Sequence, residues 1–447
     1  MLKLVQEKLL IMIVRTQDIV RVNCSIVEYD PDRPRVRLAQ YFVMNNILNE
    51  NKITTLSFDE ARKQGKFIIY EIGTTEGPHW WLGYKNSDHP TMPNLFDVLN
   101  KQQFEILKYI INGNGVIHID QCLESFPLWV NDSTFEEKEI CYYKNIHDKC
   151  KIHNIPLSKI FYSTSNLMEN ELYDRWCKEN NIQEKMNMIC DLFFARLAKD
   201  GFFYSGYNDN NFTFPENDIS VLTFEEHINY KQHNDIKTFS CLNRVIRPHR
   251  VAFLAMLNHY NMINGSELSF DKLNLDETNL NRDIFFNHSA FDDQNIKAIE
   301  QLTPLYLDVT EFETNQAQSF FKETYLNTWY SAITETYFYE YYNTSMFFSE
   351  KIFKPVCAMH PFVLVGQQFS LKYFKKLGFK TFDSVWDESY DTIRDPVQRM
   401  DAICKLMQNL NRKSKHEWIE MYYKIQPILI HNFNHLKDTP WGSYAKF

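Results

Sequence analysis

TETYFYEYYNTSMFFSEKIFKPVCAMHPFVLVG, residues 334–366, is the stretch whose reading decides the fold. It predicts a strand, a loop, a helix and a second strand, with charges confined to the junctions. Residues 336–342 are aromatic-rich and flanked by Glu335 and Glu340, and are read as the first strand. A helix is expected to start near Ser349, with Glu350, Lys351 and Lys354 in its first two turns. Pro355 stands close enough to that start to be tolerated, and His360-Pro361 closes the helix. Residues 362–365 form a short apolar run ended by Gly366, the pattern of a buried parallel strand. Free backbone N–H groups and the helix dipole attract anions to a helix start. A lysine in the first turn opposes that dipole, and a phosphate ligand would give it a purpose.

Working outward, the chain has 447 residues, which predicts two or three domains. It is 44% hydrophobic and 23% charged, a globular balance. The net charge of −9 argues against a general electrostatic grip on nucleic acid, which needs a basic face. The nine cysteines are scattered without a CxxC pair, so reduced, buried thiols and a cytoplasmic setting, in a cell or an infected host, are expected. The apolar run at residues 9–14 is too short to span a bilayer and lacks a leader's cleavage pattern, so no membrane span is expected.

The first half alternates apolar strands (residues 67–70, 115–119, 160–162 and 202–204) with helices (95–112 and 169–180), the pattern of a parallel sheet with covering helices. Two polar stretches, 207–218 and 225–235, read as surface loop, and the domain boundary is placed near residue 235. The second half restarts with a strand at 237–242 and a helix at 250–260. Strands at 304–309 and 379–382 and terminal helices at 395–410 and 413–436 follow. The fold class expected is α/β, with two Rossmann-like domains over residues 1–235 and 236–447.

A second constellation follows the first strand of the second half. Asn243, Arg244, Arg247, His249 and Arg250 cluster at a strand-to-helix turn, and Pro248 suits the first helical position. Guanidinium groups are planar, permanently charged and able to bind two phosphate oxygens at once. Solvated surface charges would explain each cluster alone; together in one half, they point to a diphosphate.

These residues resemble the C-terminal, donor-binding domain of the α1,3-fucosyltransferases (glycosyltransferase family 10), over about residues 237–385. The matching features are Tyr339-Glu340, Ser349-Glu350-Lys351 and the apolar strand at 361–366. The Ser-Cys-x-Asn-Arg order at 240–244 is similar to that family's strand ending before a diphosphate-binding arginine, for which Arg247 or Arg250 fits best by spacing. The resemblance implies that Lys351 contacts a nucleotide diphosphate and Glu350 its nucleoside. Upstream the chain departs from the family, with Phe347 where a tyrosine is usual. Two such halves would make the two-Rossmann glycosyltransferase architecture (GT-B), of a soluble bacterial or viral kind.

The resemblance implies an inverting glycosyltransferase without a resident cofactor, taking a nucleotide-diphosphate sugar, first of all GDP-fucose, to a hydroxyl of a glycan or other acceptor. Nucleic acid would enter only as a modified-base acceptor. Inversion needs a base, and Asp120 and Glu124, at the end of the strand at 115–119, are the candidates. Trp80 and Trp81, at another strand exit, could stack on an acceptor sugar. No metal site is expected: Asp30-Pro31-Asp32 is a common tripeptide, and His431 and His435 lack a third ligand. The alternative is a non-catalytic glycan- or protein-binding module on a transferase-like scaffold.

Overall fold

A computed structural model of the protein describes residues 19–24, 53–55, 58–73, 101–121, 127–130, 140–199, 222–243, 246–274, 288–305, 322–339, 343–439 and 441. The chain divides into two compact units. The first is Met1–Phe193 with Tyr341–Phe347 and Pro440–Phe447; the second is Phe194–Glu340 with Phe348–Thr439. Each carries a parallel sheet with helical crossovers, so the α/β class holds in both.

In the first unit the strands are β1 (Ile19–Cys24), β2 (Ile53–Thr55), β3 (Phe67–Gly73), β4 (Gly115–Gln121), β5 (Trp129–Val130), β6 (Ile140–Cys141), β7 (Ile160–Thr164) and β8 (Asn187–Cys190). Six of them form a parallel sheet in the order β2-β1-β3-β4-β7-β8, and β5 and β6 make a separate antiparallel pair. The helices are α1 (Phe58–Lys63), α2 (Lys101–Tyr109), α3 (Tyr142–Ile152) and α4 (Glu169–Glu179). Strands covered on both faces read as continuous apolar runs, and β7, buried along its whole length, obeys this. Gly115 opens β4 because a Cβ there would stand 2.5 Å from the Ile68 carbonyl oxygen of β3. The strand expected at 202–204 and the polar stretch at 207–218 lie outside the described residues.

A buried carboxyl group organises the start of α4. Glu169 Oε1 accepts from the Leu128 backbone N–H at 3.1 Å and from the Tyr143 hydroxyl, while Oε2 accepts from Asn166 Nδ2 at 2.7 Å. The other hydrogen of that amide goes to the Thr344 carbonyl at 2.9 Å, and Asn166 Oδ1 accepts from the Met346 N–H at 3.0 Å. Residues 344–346 are thereby tied into the first unit.

A further helix, α5 (Phe193–Lys199), follows at the junction, and the second unit continues with α6 (Phe224–His233), β9 (Lys237–Asn243), α7 (Pro248–His259), β10 (Glu267–Phe270), α8 (Asp293–Leu302), α9 (Lys322–Asn327), β11 (Thr328–Thr334), α10 (Glu350–Cys357), β12 (Phe362–Val365), α11 (Ser370–Lys376), α12 (Pro396–Asn411) and α13 (Lys415–Asp438). Its four strands are all parallel, in the order β10-β9-β11-β12. The chain lays β10 on one side of β9 and then β11 on the other, so the direction of winding reverses between β9 and β11. In open α/β sheets, ligands bind outside the carboxyl ends of the strands at such a reversal. From the other end, α13 packs on β11 through aromatics: Trp418 stacks on Trp329 and Tyr330, and the Tyr422 hydroxyl donates to the Trp329 carbonyl at 2.7 Å. Lys231 is fully buried there, its Nζ donating to the Tyr325 and Leu326 carbonyls at 3.0 and 2.9 Å and to that of Thr328. It thus satisfies the end of α9.

Three expectations need correction, and a fourth, at 304–309, falls mostly outside the described residues. Residues 225–235 are not loop: α6 is fixed by a capping box in which Thr223 Oγ1 accepts from the Glu226 N–H at 3.2 Å and Glu226 Oε2 from the Thr223 N–H at 2.7 Å. Phe224, His227, Ile228 and Lys231 are its buried face, at helical spacing. Residues 379–382 are not a strand. The Lys380 N–H and C=O pair with the Asn432 side chain at 2.7 and 2.8 Å, and the Phe382 N–H with Glu388 at 2.8 Å, so side chains replace a neighbouring strand. Of the strand expected at 304–309, Leu305 forms an isolated antiparallel bridge with Phe270, and residues 306–309 lie outside the described set. The strand expected at 336–342 is instead β11, eight residues earlier by first residue (336 − 328), for reasons given below.

Cys150, Cys177, Cys190, Cys241, Cys357 and Cys404 are buried and form no disulfide. Among the described residues no helix is long and apolar enough to cross a membrane.

Burial raises the Glu169 carboxyl from an ordinary 4.5 to about 7, against the opposing hydrogen bonds from Tyr143, Leu128 and Asn166. An acid raised in the folded state holds its proton where the unfolded chain has released it. Stability therefore falls as pH rises from about 4.5 towards 7. Urea titrations across that window are expected to show the decline in the wild type and its absence in Glu169→Gln. That variant should also be destabilised by about 1–3 kcal/mol, because its amide would face the Asn166 amide donor to donor.

Candidate anion-binding site at the carboxyl edge of the second sheet

The site lies at the reversal between β9 and β11, wholly within the second unit. The start of α7 carries Arg247 at the N-cap and Pro248 at the first helical position, with no side chain capping it. The start of α10 is capped by Ser349, whose Oγ accepts from the Lys351 N–H at 3.4 Å. The helix therefore begins where the sequence placed it. Pro355 falls inside it, six residues from Glu350 counting both ends, rather than in the first turn.

The segment after β11 explains why no strand forms at 336–339, the described part of the expected one. Its carbonyls are taken by side chains: Glu335 by His249 Nε2 at 3.0 Å, Thr336 by Arg247 Nη1 at 3.1 Å and Phe338 by Arg399 Nη2 at 2.6 Å. The Arg399 guanidinium also lies 4.4 Å over the Phe338 ring, and His249 stacks on the same ring at 6.0 Å between centroids. With these partners the backbone needs no neighbouring strand, and the true strand is the run TWYSAIT, apolar at alternate and adjacent positions and almost wholly buried.

At the end of that strand sits Glu335, 2% exposed. Its Oε2 accepts from the Thr336 N–H at 3.2 Å, the Ser349 N–H at 3.3 Å and the Ser349 hydroxyl at 2.7 Å. Ser349 Oγ in turn accepts from Lys351 Nζ at 3.1 Å. Lys351 Nζ also pairs with Glu350 Oε1 at 2.9 Å, with the two side chains only 24% and 14% exposed. That exposure rules out a freely solvated surface pair. Burial raises the Glu335 carboxyl, with Lys351 and the Ser349 hydrogen bonds opposing. For Glu350 burial also pushes upward, but Lys351 and Lys354 outweigh it and hold the group below the ordinary carboxylate value.

Arg250 is 3% exposed. Burial and the neighbouring Arg247 lower its guanidinium to about 10, while Glu350 and Glu335 pull the other way. It stays cationic at neutral pH. Arg250 thus feels Arg247 and Glu350, and Glu350 feels Lys351 and Lys354, so the starts of α7 and α10 stand within electrostatic reach although about 100 residues apart in sequence.

Other expected residues stand elsewhere. Asn243 is buried between strands: its amide donates to Cys241 Sγ at 3.2 Å and its Oδ1 accepts from the Thr334 hydroxyl. It joins β9 to β11 rather than facing a ligand. Arg244, Glu340, Glu124, Trp80 and Trp81 lie outside the described residues, as do Asp30 and Asp32. Asp120 lies near the carboxyl end of β4, in register with Gly73 and Ser163, with its side chain outside the described set. His431 and His435 donate to the Gly378 and Leu377 carbonyls at 2.9 and 2.7 Å, closing the end of α11. Among the described residues no cluster is suited to a metal.

The residue that sequence reasoning passed over is Glu335. Its signal was an acid directly after a buried apolar strand, obscured when the strand was placed downstream of it. In comparisons with protein-family models, curated proteins and solved structures, the chain finds no match.

Arg399 Nη1 also donates to the Ile393 and Arg394 carbonyls at 2.7 and 3.1 Å. Arg399→Met would leave these and the Phe338 carbonyl unpaired. Chemical denaturation is expected to show a loss of about 2–4 kcal/mol.

Proposed function

We propose that the protein is a glycosyltransferase of the GT-B type that takes a nucleotide-diphosphate sugar and transfers the sugar, with inversion, to a hydroxyl acceptor. The observation that carries this reading is the meeting of two separate cationic helix starts at the winding reversal of a parallel sheet. Four cations (Arg247, Arg250, Lys351 and Lys354) stand with two carboxylates (Glu335 and Glu350). Among the described residues the cations outnumber the carboxylates, which suits the negative charge of a sugar nucleotide's diphosphate.

The chemistry follows from that balance. When the bond from the sugar to the diphosphate breaks, negative charge grows on the departing β-phosphate. Cations held in place by the fold stabilise that charge without reorganising, which lowers the barrier. Arg250 is held by burial and Lys351 by its two hydrogen bonds, so both are preorganised. Glu350 accepts from Lys351, and the resemblance assigns it the donor's nucleoside. GDP-fucose is the first donor proposed, on the resemblance of the Ser349-Glu350-Lys351 and 361–366 stretches to the family 10 transferases. Asp120 or Glu124 is proposed as the base that takes the acceptor's proton, and no cofactor is invoked.

The test is turnover of GDP-, UDP- and ADP-sugars, followed as release of the nucleoside diphosphate with and without oligosaccharide acceptors. Lys351→Ala is expected to lower kcat about 100- to 1,000-fold while the thermal midpoint moves little. EDTA is expected to leave turnover intact. Full activity in Lys351→Ala would remove the lysine from the mechanism, and loss of activity in EDTA that Mn²⁺ restores would overturn the metal-free mechanism. Nucleotide binding without any turnover would favour a binding module on the same scaffold.

A further inference from the structure

We propose that Glu335 and Ser349 form a positioning relay that aims the Lys351 ammonium at a diphosphate; this rests on the donor-site reading above. The relay runs through hydrogen bonds in one direction. Lys351 Nζ donates to Ser349 Oγ at 3.1 Å, and the Ser349 hydroxyl donates its own hydrogen to Glu335 Oε2 at 2.7 Å. A hydroxyl carries one hydrogen and two lone pairs. Once its hydrogen is committed to Glu335, a lone pair is left facing the lysine. Without Glu335 the hydroxyl could turn, and Lys351 would have Glu350 alone to fix it.

The placement of Glu335 suits this task better than direct binding of a phosphate. A carboxylate beside an anion site weakens the site by simple Coulomb repulsion. Its retention at the centre of a cationic cluster, 2% exposed, calls for a compensating role. Three donors converge on Oε2, two of them from Ser349, so the carboxylate fixes both the backbone and the side chain of the residue that starts α10. Oε1 has no hydrogen-bond partner, so the carboxylate's bonding is concentrated on Oε2, where Ser349 supplies two of the three donors. Holding a lysine's long side chain in advance removes entropy that binding would otherwise cost.

Repulsion and positioning predict opposite signs, which makes the relay testable. The probe is inorganic pyrophosphate, which carries the charge of the donor's diphosphate without nucleoside or sugar. Its affinity is measured by calorimetry on the full chain. If Glu335 is only a nearby negative charge, Glu335→Ala and Glu335→Gln both bind pyrophosphate more tightly than the wild type. If it positions Lys351, Glu335→Ala binds at least tenfold more weakly despite the lost repulsion, and Glu335→Gln, whose amide oxygen can still accept from Ser349, binds as the wild type does or better. Ser349→Ala is expected to weaken binding to the same degree, and Ser349→Thr, which keeps the hydroxyl, to restore it. The Ser349 pair decides the matter if Glu335→Ala does not fold. Equal affinity across the Ser349 variants, or tighter binding by Glu335→Ala, would overturn the relay while leaving the donor site standing. A wild type that binds neither pyrophosphate nor any nucleoside diphosphate would overturn the donor-site reading and the relay with it.

Discussion

One carboxylate at the end of a buried strand holds the start of the next helix. Glu335 closes β11, and Ser349, fourteen positions later (349 − 335), opens α10, joined through backbone and hydroxyl hydrogen bonds to a single oxygen. Lys351 is held against that link through Ser349, and Glu350 is held by Lys351. Residues 341–347 between them belong to the first unit, yet the start of α10 stays registered to the end of β11. A polar group this deep is tolerated because three donors and the nearby Lys351 ammonium face it.

Parallel topology then does what local sequence cannot. With β9 and β11 adjacent and running the same way, the turns that follow them emerge at the same edge. Arginines after one strand and a Glu-Lys pair after the other become neighbours without any sequence proximity. The opposite end of the same sheet shows how differently the fold treats a cation that it does not offer to ligands. Lys231 is surrounded by three carbonyls and lies 5.4 and 5.6 Å over the Tyr422 and Trp329 rings, and burial lowers its pKa well below the ordinary value.

Much of this was legible in the chain. The apolar run of β12, the Ser349 cap and the arginine-rich turn are local signals, and local chemistry decides them. Strands β3, β4, β7 and β9 were recognised because buried parallel strands are continuous in hydrophobicity. The failures have local causes too. In TWYSAIT the serine and threonines dilute the apolar signal, whereas the aromatic run after it looks more strand-like and is in fact held by His249, Arg247 and Arg399. Polar side chains hid α6, although Thr223 and Glu226 spelled a capping box. Residues 379–382 set aromatics around a β-branched residue and look strand-like, but Asn432 and Glu388, each remote or unannounced in the pattern, satisfy their backbone. Which partner saturates a backbone group is a tertiary fact, and no window of sequence contains it.

The most direct test is a thermal-shift panel of GDP, UDP, ADP and CMP with their common sugar conjugates, run on the wild type beside Lys351→Ala. A ligand that binds the folded state raises the melting midpoint by mass action. The site described here predicts a selective rise with one nucleoside diphosphate and its sugar conjugate, GDP first, that Lys351→Ala abolishes or sharply reduces. A folded wild type that none of these compounds stabilises, or a rise that Lys351→Ala leaves untouched, would contradict it.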